Sequence, residues 1–89
     1  MKKLRILPDQ YVFNQGETGD SAFLVISGTL NAEIDGKTVG KIEEGEIFGE
    51  LSLILGENRK ASIKAIIPSE IIEIKKNALE AILLSSNLE

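Results

Sequence analysis

Eight glycines punctuate this chain, mostly between short segments rich in Val, Ile, Phe and Thr. That rhythm belongs to many short strands joined by tight turns, and so to a sandwich or barrel. The pattern places strands at Leu4–Leu7, Tyr11–Phe13, Ala22–Ser27, Leu30–Ile34, Lys37–Ile42, Ser62–Ile66 and Ile71–Lys75. Leu30, Ala32 and Ile34 alternate with Asn31 and Glu33, the period-two signature of a half-buried strand. Asp35-Gly36 between two such runs predicts a type I′ hairpin, whose two central residues both need positive φ. Ser27-Gly28 and Thr18-Gly19 predict further turns.

Two short helices interrupt the strands. Gly49 to Leu55 is long enough for about two turns, closed by Gly56 as a left-handed C-terminal cap. A second helix is expected from Asn77, with Glu80 three residues on in the manner of a capping box. Its apolar stripe, Leu79, Ile82 and Leu83, is expected to join the domain core, or, if exposed, to dock a further helix or a partner. This helix reads as cut short, so the chain is expected to be one domain over residues 1–89 that is truncated, with Leu88 and Glu89 a remnant of cloning.

The 89 residues carry ten basic and fourteen acidic side chains, a net charge of −4. With no Lys/Arg stripe, that balance argues against direct nucleic-acid binding. Cysteine and histidine are both absent, which removes a disulfide framework, thiolate and imidazole metal sites, and metal-dependent enzymes built on histidine ligands. The longest apolar run, Ala22 to Ile26, is far below the ~20 residues of a membrane span, and no signal peptide is evident, so a soluble cytoplasmic domain is expected. Asp20 and Glu17 beside Gly19 read as turn-capping carboxylates rather than a metal site, and Glu43, Glu44 and Glu46 as a solvated loop. No nucleophile–base pair supports catalysis.

Most functional information lies in Phe48–Ile63 (FGELSLILGENRKASI). Gly49 lacks a Cβ, so another molecule could approach the backbone closely. The first N–H groups of the helix have no intrahelical partner and lie at its positive dipole end. Arg59, nine residues after Glu50, offers a planar, always-charged fork for two phosphate oxygens. Glu50, acceptor-only when ionised, is better suited to a sugar hydroxyl than to the phosphate itself. Together these groups suit a ribose phosphate. Taken singly they are ordinary, since a Glu–Arg pair is usually a surface ion pair worth under ~1 kcal/mol. No Walker loop is present, so nucleotide triphosphate binding has little support.

The arrangement as a whole resembles the phosphate-binding cassette of the cyclic nucleotide-binding domain family, of the type in catabolite activator protein and the regulatory subunits of cAMP-dependent kinase. The family pattern F-G-E-[LM]-[AS]-L, five residues, R-x-A-[ST]-[VI] is met by Phe48-Gly49-Glu50-Leu51-Ser52-Leu53 and Arg59-Lys60-Ala61-Ser62-Ile63, without insertion or deletion. Upstream, Gly16-Glu17, Gly19-Asp20-Ser21 and Phe23-Leu24-Val25-Ile26-Ser27-Gly28 also match. The resemblance implies a mainly β fold: a double-stranded β-helix, or eight-stranded jelly-roll barrel, with a short phosphate-binding helix and a C-terminal helix. A short strand near Glu46-Ile47 would supply the eighth. It implies that Glu50 accepts the ribose 2′-hydroxyl and Arg59 pairs with the cyclic phosphate. The N–H groups of Gly49, Leu51, Ser52, Lys60 and Ala61 would complete the cradle.

By the same resemblance the chain would be a non-catalytic regulatory module without a cofactor. Its ligand would be cAMP in preference to cGMP, and it would act on an effector domain of the parent protein or on a protein partner. Lys60 stands where cGMP-preferring members commonly carry threonine, which favours cAMP, although a lysine there could reach the phosphate. Asn58 replaces a frequent proline. The long helix that covers the base in this family does not follow, so the base would be more exposed and selectivity weaker. The alternative is a domain of the same fold that binds no nucleotide and serves as a scaffold or interaction element.

Overall fold

The computed structural model describes residues 1–87, so the expectation for Leu88 and Glu89 lies outside the described residues. Eight strands are present: β1 (Lys2–Ile6), β2 (Tyr11–Phe13), β3 (Ser21–Ser27), β4 (Thr29–Ile34), β5 (Lys37–Glu43), β6 (Ile47–Phe48), β7 (Ser62–Ala65) and β8 (Ser69–Lys75). Helix α1 (Glu50–Leu55) lies between β6 and β7, and α2 (Lys76–Asn87) follows β8. The strands form two four-stranded antiparallel sheets, ordered β1-β8-β3-β6 and β2-β7-β4-β5. This is the mainly β, jelly-roll architecture that the resemblance implied.

The sheets enclose a core of Phe23, Val25, Leu30, Phe48, Ile63, Ala65 and Ile71. A second cluster, Ala22, Leu53, Ile74 and Leu79, joins the opposite face of β3 and β8 to both helices. Strand β3 is therefore covered on two sides, and Ala22–Ile26 accordingly reads as an unbroken apolar run instead of an alternation. Strand β6 is only two residues long, too short for a periodic signal.

The hairpin between β4 and β5 forms as expected. Ile34 pairs with Lys37, and Asp35 (φ 52°) and Gly36 (φ 81°) take the two left-handed positions. A bulge between Ala32 and Glu33 sets the register. Gly28 (φ 101°) makes the tight step from β3 to β4.

Three local expectations are corrected. The turn near residue 18 is Asn14–Glu17, closed by Glu17 N–H to the Asn14 carbonyl at 3.1 Å, with Gly16 at φ 89°. Gly19 is not at positive φ, and its role is steric, as described below. Helix α2 starts at Lys76 without a break from β8. Asn77 is thus inside the first turn, where its Oδ1 accepts the Ala78 N–H at 2.9 Å, and no capping-box bond from Glu80 occurs among the described residues. Finally, Leu79 is buried, but Ile82 and Leu83 are exposed, because α2 crosses the sheet with only its first turn pressed against Ala22 and Ile74.

Candidate functional site

Among the described residues Arg59 is the only charged one that is buried, at 5% exposure. The loop 14–20 grips its main chain from both sides: Gly16 N–H donates to the Arg59 carbonyl and Arg59 N–H donates to the Glu17 carbonyl, each at 2.8 Å. Its guanidinium carbon lies 4.0 Å from the ring centroid of Phe13, over a cluster of all three phenylalanines, Phe13, Phe23 and Phe48. Nη1 donates to the Gly49 carbonyl at 2.7 Å and Nη2 to the Ser21 carbonyl at 2.8 Å. Cation–π contact and charge-assisted bonds offset the desolvation of a buried charge.

Burial pulls the Arg59 pKa below the ordinary arginine value, while the carboxylates of Asp20 and Glu17 push it back up. The group stays charged throughout the physiological range. A guanidinium has five N–H donors, and the two bonds above leave Nε without a partner among the described residues. Buried donors are rarely left unpaired. Three of the five Arg59 donors are thus uncommitted among the described residues.

Gly49 and Gly19 make this placement possible. Gly49 caps α1 in a left-handed conformation (φ 80°), and a Cβ there would fall 2.9 Å from Arg59 Nη1 and 3.2 Å from the Phe13 ring. The close approach that its missing Cβ permits is made by the protein's own arginine and phenylalanine. A Cβ on Gly19 would collide with Arg59 Nε, Cζ and Nη2. Gly19, Phe13 and the Ser21 carbonyl are functional features that local sequence reasoning missed, because each acts only once distant segments meet. The Gly-x-x-Gly-Asp pattern at residues 16–20 was the available signal.

Helix α1 has no side-chain cap, so its first N–H groups remain uncovered by the chain. Gly56 closes it in the expected left-handed conformation (φ 67°). Among the described residues no backbone carbonyl accepts from the N–H of Lys60 or Ala61. All seven residues singled out in the sequence, Gly49, Glu50, Leu51, Ser52, Arg59, Lys60 and Ala61, line one concavity of about 180 Å³. Phe13, Ile47, Phe48 and Ile63 complete its walls. The concavity therefore combines a guanidinium, a carboxylate and free N–H groups with an apolar wall.

Glu50 is half-buried in the first turn of α1. No ion pair joins it to Arg59 among the described residues, so its carboxylate is available to a hydroxyl donor. Lys60 lines the concavity, but its Nζ lies 3.0 Å from Glu57 Oε1 on the exposed surface, which directs the charge to that carboxylate. No cluster of metal-ligating side chains occurs among the described residues, and no described helix is long and apolar enough to cross a membrane.

An uncapped helix start, a buried arginine with uncommitted donors and a carboxylate around one small concavity are the groups an anion site on a jelly-roll domain needs. Residues 3–86 match the cyclic nucleotide-binding domain family, and the chain belongs to that family. It is 30% identical over 82 residues to the cGMP-dependent protein kinase egl-4 of Caenorhabditis briggsae, covering 92% of this chain and 11% of that protein. It is 35% identical over 77 residues to an uncharacterized protein of Mycobacterium tuberculosis, covering 86% of this chain and 15% of that one. The chain thus spans a small part of these relatives' own length. Among solved structures, cAMP-bound PfPKA-R superposes with a TM-score of 0.88 at 28% identity, over 92% of this chain and 29% of that one. The catabolite activator protein of Thermus thermophilus gives 0.85 at 26% identity, over 98% and 43%.

Proposed function

We propose that this chain is a non-catalytic, cytoplasmic regulatory module that binds a cyclic nucleotide, cAMP in preference to cGMP, and switches an attached or partner domain. The observation that carries the reading is Arg59, buried and charged yet with Nε unpartnered, at the edge of a concavity shared with Glu50 and uncovered backbone N–H groups. The cyclic phosphate sits against Arg59 and the N–H groups of Gly49, Leu51, Ser52, Lys60 and Ala61. The ribose 2′-hydroxyl donates to Glu50, and the base rests on the apolar wall. Lys60 is donor-only and cannot accept from the exocyclic amine of guanine, which favours adenine.

Switching has a physical route. Leu53 of α1 is packed with Ala22, Ile74 and Leu79 of α2, so a ligand that prefers one setting of α1 biases α2 to the extent of that preference. One observation favours a second reading: Arg59 already bridges two backbone carbonyls, as a purely structural arginine in a scaffold domain would.

Calorimetric titration with cAMP and with cGMP, repeated on Arg59→Ala, separates the two. A phosphate partner lost from Arg59 costs about 2–5 kcal/mol, or ~30-fold to several thousand-fold in affinity. Heat of binding in the wild type that vanishes in the variant supports the sensor. A folded wild type that gives no heat with either nucleotide leaves the scaffold. Calorimetry suits a chain with no tryptophan and a single tyrosine.

A further inference from the structure

Strand β8 breaks its own pattern at one end. Ile71 pairs with Val25, Glu73 with Phe23 and Lys75 with Ser21 across the β3–β8 ladder. Residues directly opposite each other share a face, and Val25, Phe23 and Ile71 all belong to the inner core. Ser21, Glu73 and Lys75 therefore continue that face at the barrel end, Ser21 buried, Glu73 partly buried and Lys75 reaching solvent, where alternation calls for apolar residues. Ser21 is 1% exposed. Its Oγ donates to Glu73 Oε2 at 2.8 Å, and stands 3.3 Å from Asp20 Oδ1. Lys75 Nζ lies 3.6 Å from Glu73 Oε2 and 3.6 Å from Asp20 Oδ2, at the solvent-facing rim of the group. The carbonyl of the same Ser21 accepts from Arg59 Nη2.

We propose that Glu73 is a positioning residue for the anion site, acting on Arg59 through Ser21. With its hydroxyl anchored to β8, Ser21 presents its carbonyl in one orientation, and that carbonyl sets the guanidinium beside the concavity. Affinity gains when a binding group is held in place before the ligand arrives, since less ordering remains to be done on binding. Glu73 touches no ligand. This inference rests on the reading of Arg59 as the phosphate-binding group.

The test uses Glu73→Leu and Ser21→Ala, which remove the bond from either side, and Glu73→Gln, which retains an acceptor oxygen. Glu70→Gln is the control, since Glu70 pairs with Lys3 across β1 and β8 instead. Two readouts are combined: cAMP affinity by calorimetry, and the Arg Nε–H signals by ¹⁵N-edited NMR. The chain has only two arginines, and Arg5 is exposed, so the Arg59 signal is assignable from Arg59→Lys. Loss of the bond is expected to weaken cAMP about tenfold and to shift or broaden the Arg59 signal, with Glu73→Gln largely restoring both. Wild-type affinity in Glu73→Leu and Ser21→Ala with an unmoved Arg59 signal overturns the proposal. If the wild type binds no cyclic nucleotide, the nucleotide reading fails by itself, and the Arg59 signal alone decides: displaced in both variants, it supports positioning by Glu73; unmoved, it refutes it.

Discussion

Gly19→Ala opposes two effects of different sign, and the structure says which wins. Gly19 is not at positive φ, so alanine fits the backbone, and reduced unfolded-state freedom would stabilise the protein by about 0.4–1 kcal/mol. The new methyl group, however, would occupy the space of Arg59 Nε, Cζ and Nη2. A free arginine would simply swing away. This one would have to give up two charge-assisted bonds to the carbonyls of Ser21 and Gly49, each worth about 1.5–3 kcal/mol. Its contact with Phe13 is worth roughly another 0.5–2 kcal/mol. Rehydration of the displaced guanidinium returns a large part of that sum. The net expectation is a loss of about 2–3 kcal/mol, which in a domain of this size lowers Tm by roughly 10–20 °C. The matched control is Gly40→Ala, also not at positive φ, whose Cβ would meet nothing within 4 Å; its Tm should stay level or rise slightly. Thermal and urea unfolding followed by circular dichroism measure both. A Gly19→Ala protein as stable as wild type would refute the account of how Arg59 is held.

Two further perturbations test other parts of the fold. Leu53→Ala removes the side chain that ties α1 to α2 and the sheet, and should cost about 2–4 kcal/mol, read as a lower urea midpoint with an unchanged m value. Glu33 accepts from Tyr11 Oη at 2.9 Å and pairs with Lys64 at 3.2 Å. The Tyr11 bond first, then Lys64, holds its carboxyl below the usual glutamate value, and the same bonds to Glu33 raise Tyr11 and Lys64. The depressed Glu33 contributes stability above its unfolded pKa that is lost as pH falls through the lower folded value. The raised Tyr11 and Lys64 contribute below their unfolded values, and lose that contribution as pH rises through the higher folded ones. Glu33→Gln should flatten both the acid and the alkaline limbs of the Tm–pH profile; a profile parallel to wild type would count against the cluster.

The strands with clear alternation or turn chemistry were legible in the sequence, because hairpin pairing and glycine turns depend on neighbours a few residues away. Asp35-Gly36 and Gly56 fell into left-handed conformations that their residue types accept at little cost. The seven residues proposed for the site all lie within one short segment, and folding gathers them around one concavity. Elsewhere local signals misled. Thr18-Gly19 has turn composition, yet the turn lies earlier, and Asn77-Ala78-Leu79-Glu80 has a capping signature that direct continuation from β8 leaves unused.

What only the tertiary structure decided is why Arg59 can be buried and where it points. Phe13, the Gly19–Ser21 segment and Gly49 come from three separate stretches of chain, and their residue types do not say that Arg59 is what they contact. A stacking ring, two missing Cβ atoms and two carbonyl acceptors acquire meaning only when the sheets close and bring them together. The sequence by itself determined most of the strands, the Asp35-Gly36 hairpin and the identity of the chemical groups, since those follow from local sterics and residue chemistry. Their convergence is a long-range packing outcome, set by the two-sheet core.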